Sequence, residues 1–168
     1  MKNFYTEELW NEILKKQEEV LVYETFTRQQ ALELGLLIAK ITEEKYKGAV
    51  AIRIVEDETD IFAYKMEGAT LEADWWMTNK LAASRFTGMS SLRALTASRA
   101  GEVASDWKVR EENFFVCGGC IPVFMKDGGK TFAYVMVSGM EHWDDHQVIA
   151  DAMAEQLRAE IPEIKREY

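Results

Sequence analysis

The chain's only two cysteines, Cys117 and Cys120, stand as Cys-x-x-Cys in FFVCGGCIPVF (residues 114–124), and its only two histidines, His142 and His146, lie four apart. Two thiolates and two imidazoles can hold a tetrahedral zinc ion. A Cys-x-x-Cys pair alone suits thiol–disulfide chemistry, and with a His directly after it takes covalent haem. Ile121 follows Cys120, which removes the haem attachment. Dithiol catalysis needs a helix N-terminus to lower the thiolate pKa, whereas this motif runs into a strand pattern. Zinc binding through Cys117, Cys120, His142 and His146 requires Asp127-Gly128 to close a two-residue turn, which sets Cys117 opposite Ser138 and near His142. Against it, 21 residues separate Cys120 from His142, where a zinc finger has about 12. The plainer reading makes Gly118 and Gly119 a bulge or sharp bend with no room for a side chain. Cys117 and Cys120 are then small apolar neighbours, expected to be reduced and metal-free.

Two further positions invite chemistry. Lys80 sits on an alanine-rich helical stretch one turn after Trp76, where it binds an anionic group such as a propionate or phosphate, or else snorkels to solvent or pairs with a carboxylate. Asp145 and His146 are adjacent, so on a helix they diverge by about 100° and do not form an acid–base pair. Asp144 and Asp145 read as charges at a helix start. The chain has no Gly-x-Ser-x-Gly elbow, P-loop or dinucleotide fingerprint, and no catalytic constellation emerges.

The elements that would position these residues follow from periodicity. Leu9, Trp10, Ile13, Leu14, Val20 and Leu21 recur at helical spacing, predicting a helix over 6–21 capped by Thr6. LVYETF is a short strand candidate. Thr27 and Gln30 form a capping box for a helix carrying Leu34, Leu37, Ile38 and Ile41, with Gly48 as its stop. AVAIRIV and IFAYKM, separated by five acidic-loop residues, make an antiparallel hairpin. Residues 71–101 read as helix, broken near Gly88 and recapped by Ser90 or Ser91; SDWKVREEN adds a further helical piece. A second hairpin joins IPVFM to TFAYVMVSG through Asp127-Gly128. A last helix runs from about Asp144 to Ile161, with Pro162 beyond it. The second hairpin is apolar on both parities, so helices should cover both faces of its sheet. The expectation is α+β, one antiparallel sheet between helical layers, in a single domain over 1–168 with the N-terminal helix packed on it.

Composition bounds the function. The chain has 168 residues, 48% of them hydrophobic, enough for one domain with a substantial core. A net charge of −9 without a basic run argues against nucleic acid as a partner. No apolar run reaches the roughly 20 residues of a membrane span. The amphipathic, charged N-terminus is unlike a signal peptide, so a cytoplasmic location with no membrane partner is expected.

Four pieces carry a resemblance: AVAIRIVEDETDIFAYKMEGA, WWMTNKLAASRFTGMSS, GGCIPVFMKDGGKTFAYVMVSG and DDHQVIADAMAEQL. In this order they are similar to the GlcG/HbpS-like family of haem-degrading domains, in its uncharacterised branch. The resemblance implies a profilin-like α/β/α three-layer domain with a central antiparallel sheet of about five strands, assembled into closed homo-oligomers. It places Gly118, Gly119 and Pro122 in the family motif and leaves the cysteines outside it. It makes haem a possible cofactor, with Lys80, Gly118, Gly119, Pro122, Ser138, Gly139 and His146 as candidate ligand-binding residues. Two functions remain: an oligomeric binder of haem or another planar or anionic molecule, non-catalytic, or a scaffold that other proteins bind. For self-association beyond a dimer, the candidate interface is Trp75, Trp76 and Met77, because two adjacent tryptophans on a helix cannot both face one core.

Overall fold

The computed structural model describes residues 7–103, 114–128 and 132–164. Helix α1 (Glu7–Val20) leads into a two-residue strand β1 (Val22–Tyr23), then α2 (Arg28–Ile41), β2 (Ala51–Glu56) and β3 (Thr59–Lys65). Helices α3 (Ala73–Thr87) and α4 (Ser91–Arg99) follow. Strands β4 (Cys120–Pro122), β5 (Phe124–Met125) and β6 (Ala133–Ser138) and helix α5 (His142–Leu157) complete the described elements. Thr6 and the SDWKVREEN piece lie outside the described residues.

The main sheet is antiparallel in the order β3-β2-β6-β4. Residues Ile52, Ile54, Val135 and Val137 point to one face, where α2 and α5 cover them with Leu34, Ile38, Val148 and Ile149. Residues Ala51, Val55, Cys120 and Met136 point to the other, under Ala73, Met77 and Leu81 of α3. Full burial of each Ile or Val is worth about 1.5–3 kcal/mol, so a one-residue slip that turned all of them to the other face is excluded. The result is the expected three-layer α/β/α arrangement. Four strands form the sheet, and a short parallel ladder of β1 with β5 stands beside it.

That ladder alters the second hairpin. Met125 O accepts from Gly128 N, at 3.1 Å, so the corner of the turn is Lys126-Asp127. Asp127 is not among the described residues with positive φ, and the expected primed turn at Asp127-Gly128 is not formed. The cause is that β5 leaves the sheet to pair with Val22 and Tyr23 instead of continuing antiparallel to β6. Partner numbers across β4 and β6 sum to 256, as in Cys120 with Met136, one more than the tight turn requires. Cys117 is therefore not set opposite Ser138.

The local signals for the helices acted largely as read. Thr27 and Gln30 close a capping box, with bonds of 3.1 and 2.7 Å. Gly88, at φ +70°, ends α3, and Ser90 caps α4. After α2 the chain makes a π-helical turn, Thr42–Tyr46, and the left-handed stop falls on Lys47, not Gly48. The missing Cβ at Gly48 instead leaves room for the Met140 side chain. Helix α5 begins at His142, two residues before the expected Asp144, and ends at left-handed Arg158.

α1 lies along α4. Trp10 and Leu14 pack on Leu92 and Trp143, while Glu18 accepts from Ser90 N and from the Arg93 guanidinium.

Candidate functional site

Lys80 is the pivot. It stands on the sheet-facing side of α3, 1% exposed, which a lone ammonium does not tolerate. Its Nζ donates to Val137 O at 2.8 Å and to Asp145 Oδ2 at 2.9 Å. Asp145 is equally buried and also accepts from Met140 N, at 2.9 Å, and Gly139 N, at 3.4 Å. One carboxylate thus ties α3, the end of β6 and the first turn of α5. Burial pushes Asp145 up to about 6, against the pull of Lys80 and the two backbone N–H groups.

The glycines make the approach possible. Gly119 has φ +123°, and a Cβ there would press on Val137 O and lie 2.6 Å from Lys80 Nζ. Gly119 O accepts from Val137 N at 2.8 Å, bringing the bend against β6. A Cβ at Gly118 would collide with His142 O. Gly118 N donates to His142 Nδ1 at 3.0 Å. The two glycines are the sharp bend into β4 that the sequence suggested.

Beside this knot lies a cavity of about 360 Å³, lined among others by Trp76, Lys80, Cys117, Ser138, Gly139 and His142. Two hollows of about 530 and 590 Å³ lie elsewhere, beside Phe26 and Phe132 and beside Lys45 and Asp151; neither is lined by a candidate ligand-binding residue of the sequence.

Several expected site residues are placed otherwise. Pro122 pairs with Tyr134 on the edge strand β4, where its missing N–H does no harm, and stands apart from the cavity lining. His146 is sealed under α1: its Nε2 meets Gln17 Oε1 at 2.8 Å, and its Nδ1 is buried without a partner among the described residues. The cavity histidine is His142. Met77 is fully buried against the sheet, so it drops out of the aromatic patch. Phe115, 62% exposed, takes its place, with its ring 5.2 Å from Trp75 and 6.1 Å from Trp76. The zinc set is not assembled: Cys120 lies in the core under α3, His146 faces Gln17, and no described group of His, Cys, Asp or Glu is arranged for a metal ion. Burial pushes Cys120 up to about 12 and raises Cys117, so both are thiols at neutral pH.

Two members of the site carried other roles in the sequence reading: Asp145 as a helix-start charge and His142 as a zinc ligand only. A signal for Asp145 existed. A lysine amid Leu81, Ala82 and Ala83 demands a buried carboxylate, and Asp145 shares its helix face with Val148, Ile149 and Ala152.

Burial lowers His142 to about 4 and His146 to about 3, so both rings are neutral in the folded protein. Unfolded histidine titrates near 6.5. Below that pH the unfolded chain binds more protons than the folded one, and stability falls as pH falls toward 4. Asp145, with its raised pKa, and Glu18, also raised by burial, take protons earlier when folded and offset part of the loss. The urea midpoint is therefore expected to fall from pH 6.5 to 4.5 more steeply in the wild type than in His146→Gln. Each proton removed changes the slope by about 1.4 kcal/mol per pH unit. Equal slopes would show that His146 is not held neutral.

Residues 26–154 match the model of the haem degrading protein HbpS-like family, and the chain belongs to it. It is 31% identical over 158 residues to a UPF0303 protein of Sinorhizobium medicae, covering 90% of this chain and 92% of that one. Among solved structures it is similar to the Ybr137w protein, with TM-score 0.74, 22% identity and coverage of 88% and 87%. It also resembles PduOC, solved as a complex with haem, with TM-score 0.62, 14% identity and coverage of 77% and 94%. At such identities these two likenesses concern the fold. No helix among the described residues is long and apolar enough to cross a membrane.

Proposed function

We propose that this protein is a cytoplasmic, non-catalytic small-molecule binder that works as a homo-oligomer larger than a dimer. Its ligand, haem or another planar or anionic molecule, occupies the cavity beside Lys80. The observation that carries the reading is the cavity itself: about 360 Å³, within the range of about 300–1,000 Å³ typical of ligand pockets, with an aromatic wall at Trp76 and polar groups converging at Lys80, Ser138 and His142. Binding is favoured over catalysis because the ionisable groups are already committed. Lys80 and Asp145 neutralise each other, and His142 Nδ1 is engaged by Gly118 N.

Self-association is supported by the surface. Trp75 is 50% exposed and lies against Phe115, 62% exposed, an aromatic cluster of the kind found in interface cores. The same cluster lies outside the cavity, which favours a second reading as a scaffold for other proteins. Native mass spectrometry tests both parts. The expected result is a multiple, above two, of the 19.3 kDa chain with a small molecule retained. A bare 19.3 kDa species at micromolar concentration refutes the oligomer. Trp75→Glu is expected to give smaller, folded species. If that variant loses captured proteins but remains oligomeric, the scaffold reading prevails.

A further inference from the structure

Family membership makes haem the first ligand to test against these residues. Protein-bound haem iron is held by a neutral imidazole nitrogen, a thiolate, a thioether or a phenolate. The described lining of the cavity contains no tyrosine; its possible iron ligands are His142, Cys117 and Met140.

None of the three is presented in the form that iron needs. Met140 turns its sulfur onto the backbone of Gly48, lying 2.8 Å from where a Cβ at that glycine would stand. Cys117 is half-buried, and its burial holds it as the thiol. His142 is the informative case. A backbone N–H can only donate, so the Nδ1 that receives Gly118 N–H carries a lone pair and no proton. In the neutral ring the single proton is then on Nε2. Coordination through Nε2 would move that proton to Nδ1, where it would confront the Gly118 N–H at 3.0 Å. The Gly118 backbone runs so close to this helix that a Cβ there would meet His142 O and Leu92, which leaves it little room to turn aside.

We infer that His142 does not ligate haem iron but donates its Nε2–H to a carbonyl or carboxylate oxygen of a metal-free planar ligand lying in the cavity by Trp76. The inference rests on the ligand-binding reading above. His142 lines the cavity, and with Nδ1 held by Gly118 N–H it is Nε2 that is left to an occupant. Lys80 brings no spare charge to the two propionates of haem, since Asp145 already balances it. Glu141, exposed at the cavity rim, would repel them. A neutral carbonyl meets neither obstacle, and a single carboxylate meets them once where haem meets them twice. Such a group left facing His142 without that bond would forfeit a hydrogen bond, which is where specificity would arise.

Histidine-labelled protein tests this directly by nitrogen NMR. In the wild type, the His142 signals, assigned through their loss in His142→Phe, are expected to show a protonated Nε2 and an unprotonated Nδ1. The reverse tautomer overturns the inference. Benzoate and benzamide then serve as anionic and neutral oxygen acceptors, with benzylamine as the matched control. The His142 Nε2 signal is expected to shift with at least one of the first two and not with the amine; which one identifies the ligand class. No shift with either, while native mass spectrometry retains a small molecule, overturns this inference and leaves small-molecule binding standing. No shift and no retained molecule overturns both. Haemin is expected to bind no tighter than metal-free protoporphyrin IX and to give no His142-dependent Soret shift. A Soret shift lost in His142→Ala would refute the inference while supporting ligand binding.

Discussion

Lys80→Met is expected to cost about 3–5 kcal/mol, enough to leave much of the chain unfolded at 37 °C, because it strands Asp145 as a buried charge without its partner. Both side chains are about 2% exposed and 2.9 Å apart. Most of the penalty is that of the abandoned carboxylate, not the intrinsic worth of the pair. Two consequences distinguish this from lost packing. In Lys80→Met/Asp145→Asn most of the loss should return, since the amide oxygen can still accept from Met140 N while carrying no charge. The single variant should also regain stability as pH falls, in the direction opposite to the wild type, because without Lys80 to pull it down Asp145 takes up its proton above the value of about 6 that it has in the wild type. Urea unfolding of the three proteins at pH 7 and pH 5 decides the matter. A single variant within 1 kcal/mol of wild type would mean that Asp145 finds solvent or another partner.

Gly119→Val is the second large effect, expected to exceed about 4 kcal/mol or to abolish the fold. Two costs coincide there. The residue sits at φ +123°, which a β-branched side chain does not adopt. Its Cβ would also meet a main-chain carbonyl, Val137 O, which is fixed within the sheet and cannot yield. The buried Lys80 ammonium blocks the remaining direction. Gly128→Ala is the control: φ is +71° but nothing lies within 4 Å of its Cβ, so only the backbone cost of roughly 1 kcal/mol remains. Circular dichroism and urea unfolding of both variants should differ by several kcal/mol. Comparable stabilities would mean that the bend can relax away from β6.

Much of the layered fold was legible in the sequence because it depends on local or periodic signals. The capping box of Thr27 and Gln30, the stop at Gly88 and the cap at Ser90 involve groups a few residues apart, so neighbouring residue types are enough to specify them. The two-sided apolar pattern of Ala133–Ser138 requires cover on both faces whatever the topology, and helices α2, α5 and α3 supply it. Likewise, a glycine pair entering a strand announces that something stands too close for a side chain.

The sequence could not say what that something is. His142 O and Val137 O approach Gly118 and Gly119 from positions distant in the chain. The exchange of β5 from the main sheet to β1 rests on an equally remote pairing, and it moved the β4–β6 register by one. That single residue undid the alignment of Cys117 with Ser138 on which the zinc site depended. His142 and His146 show the same limit on one helix. They are identical in type and one turn apart, yet α1 arrives over His146 with Gln17, and Gly118 arrives at His142. On its own the sequence determined most of the elements and the layers, since these follow from periodicity and capping; that Lys80 is buried and must have a partner came only with the packing. Tertiary packing alone decided that Asp145 is the partner and that His142, not His146, lines the cavity, because segments far apart in the chain impose hydrogen bonds and exclusion on side chains whose own neighbours in sequence leave them free.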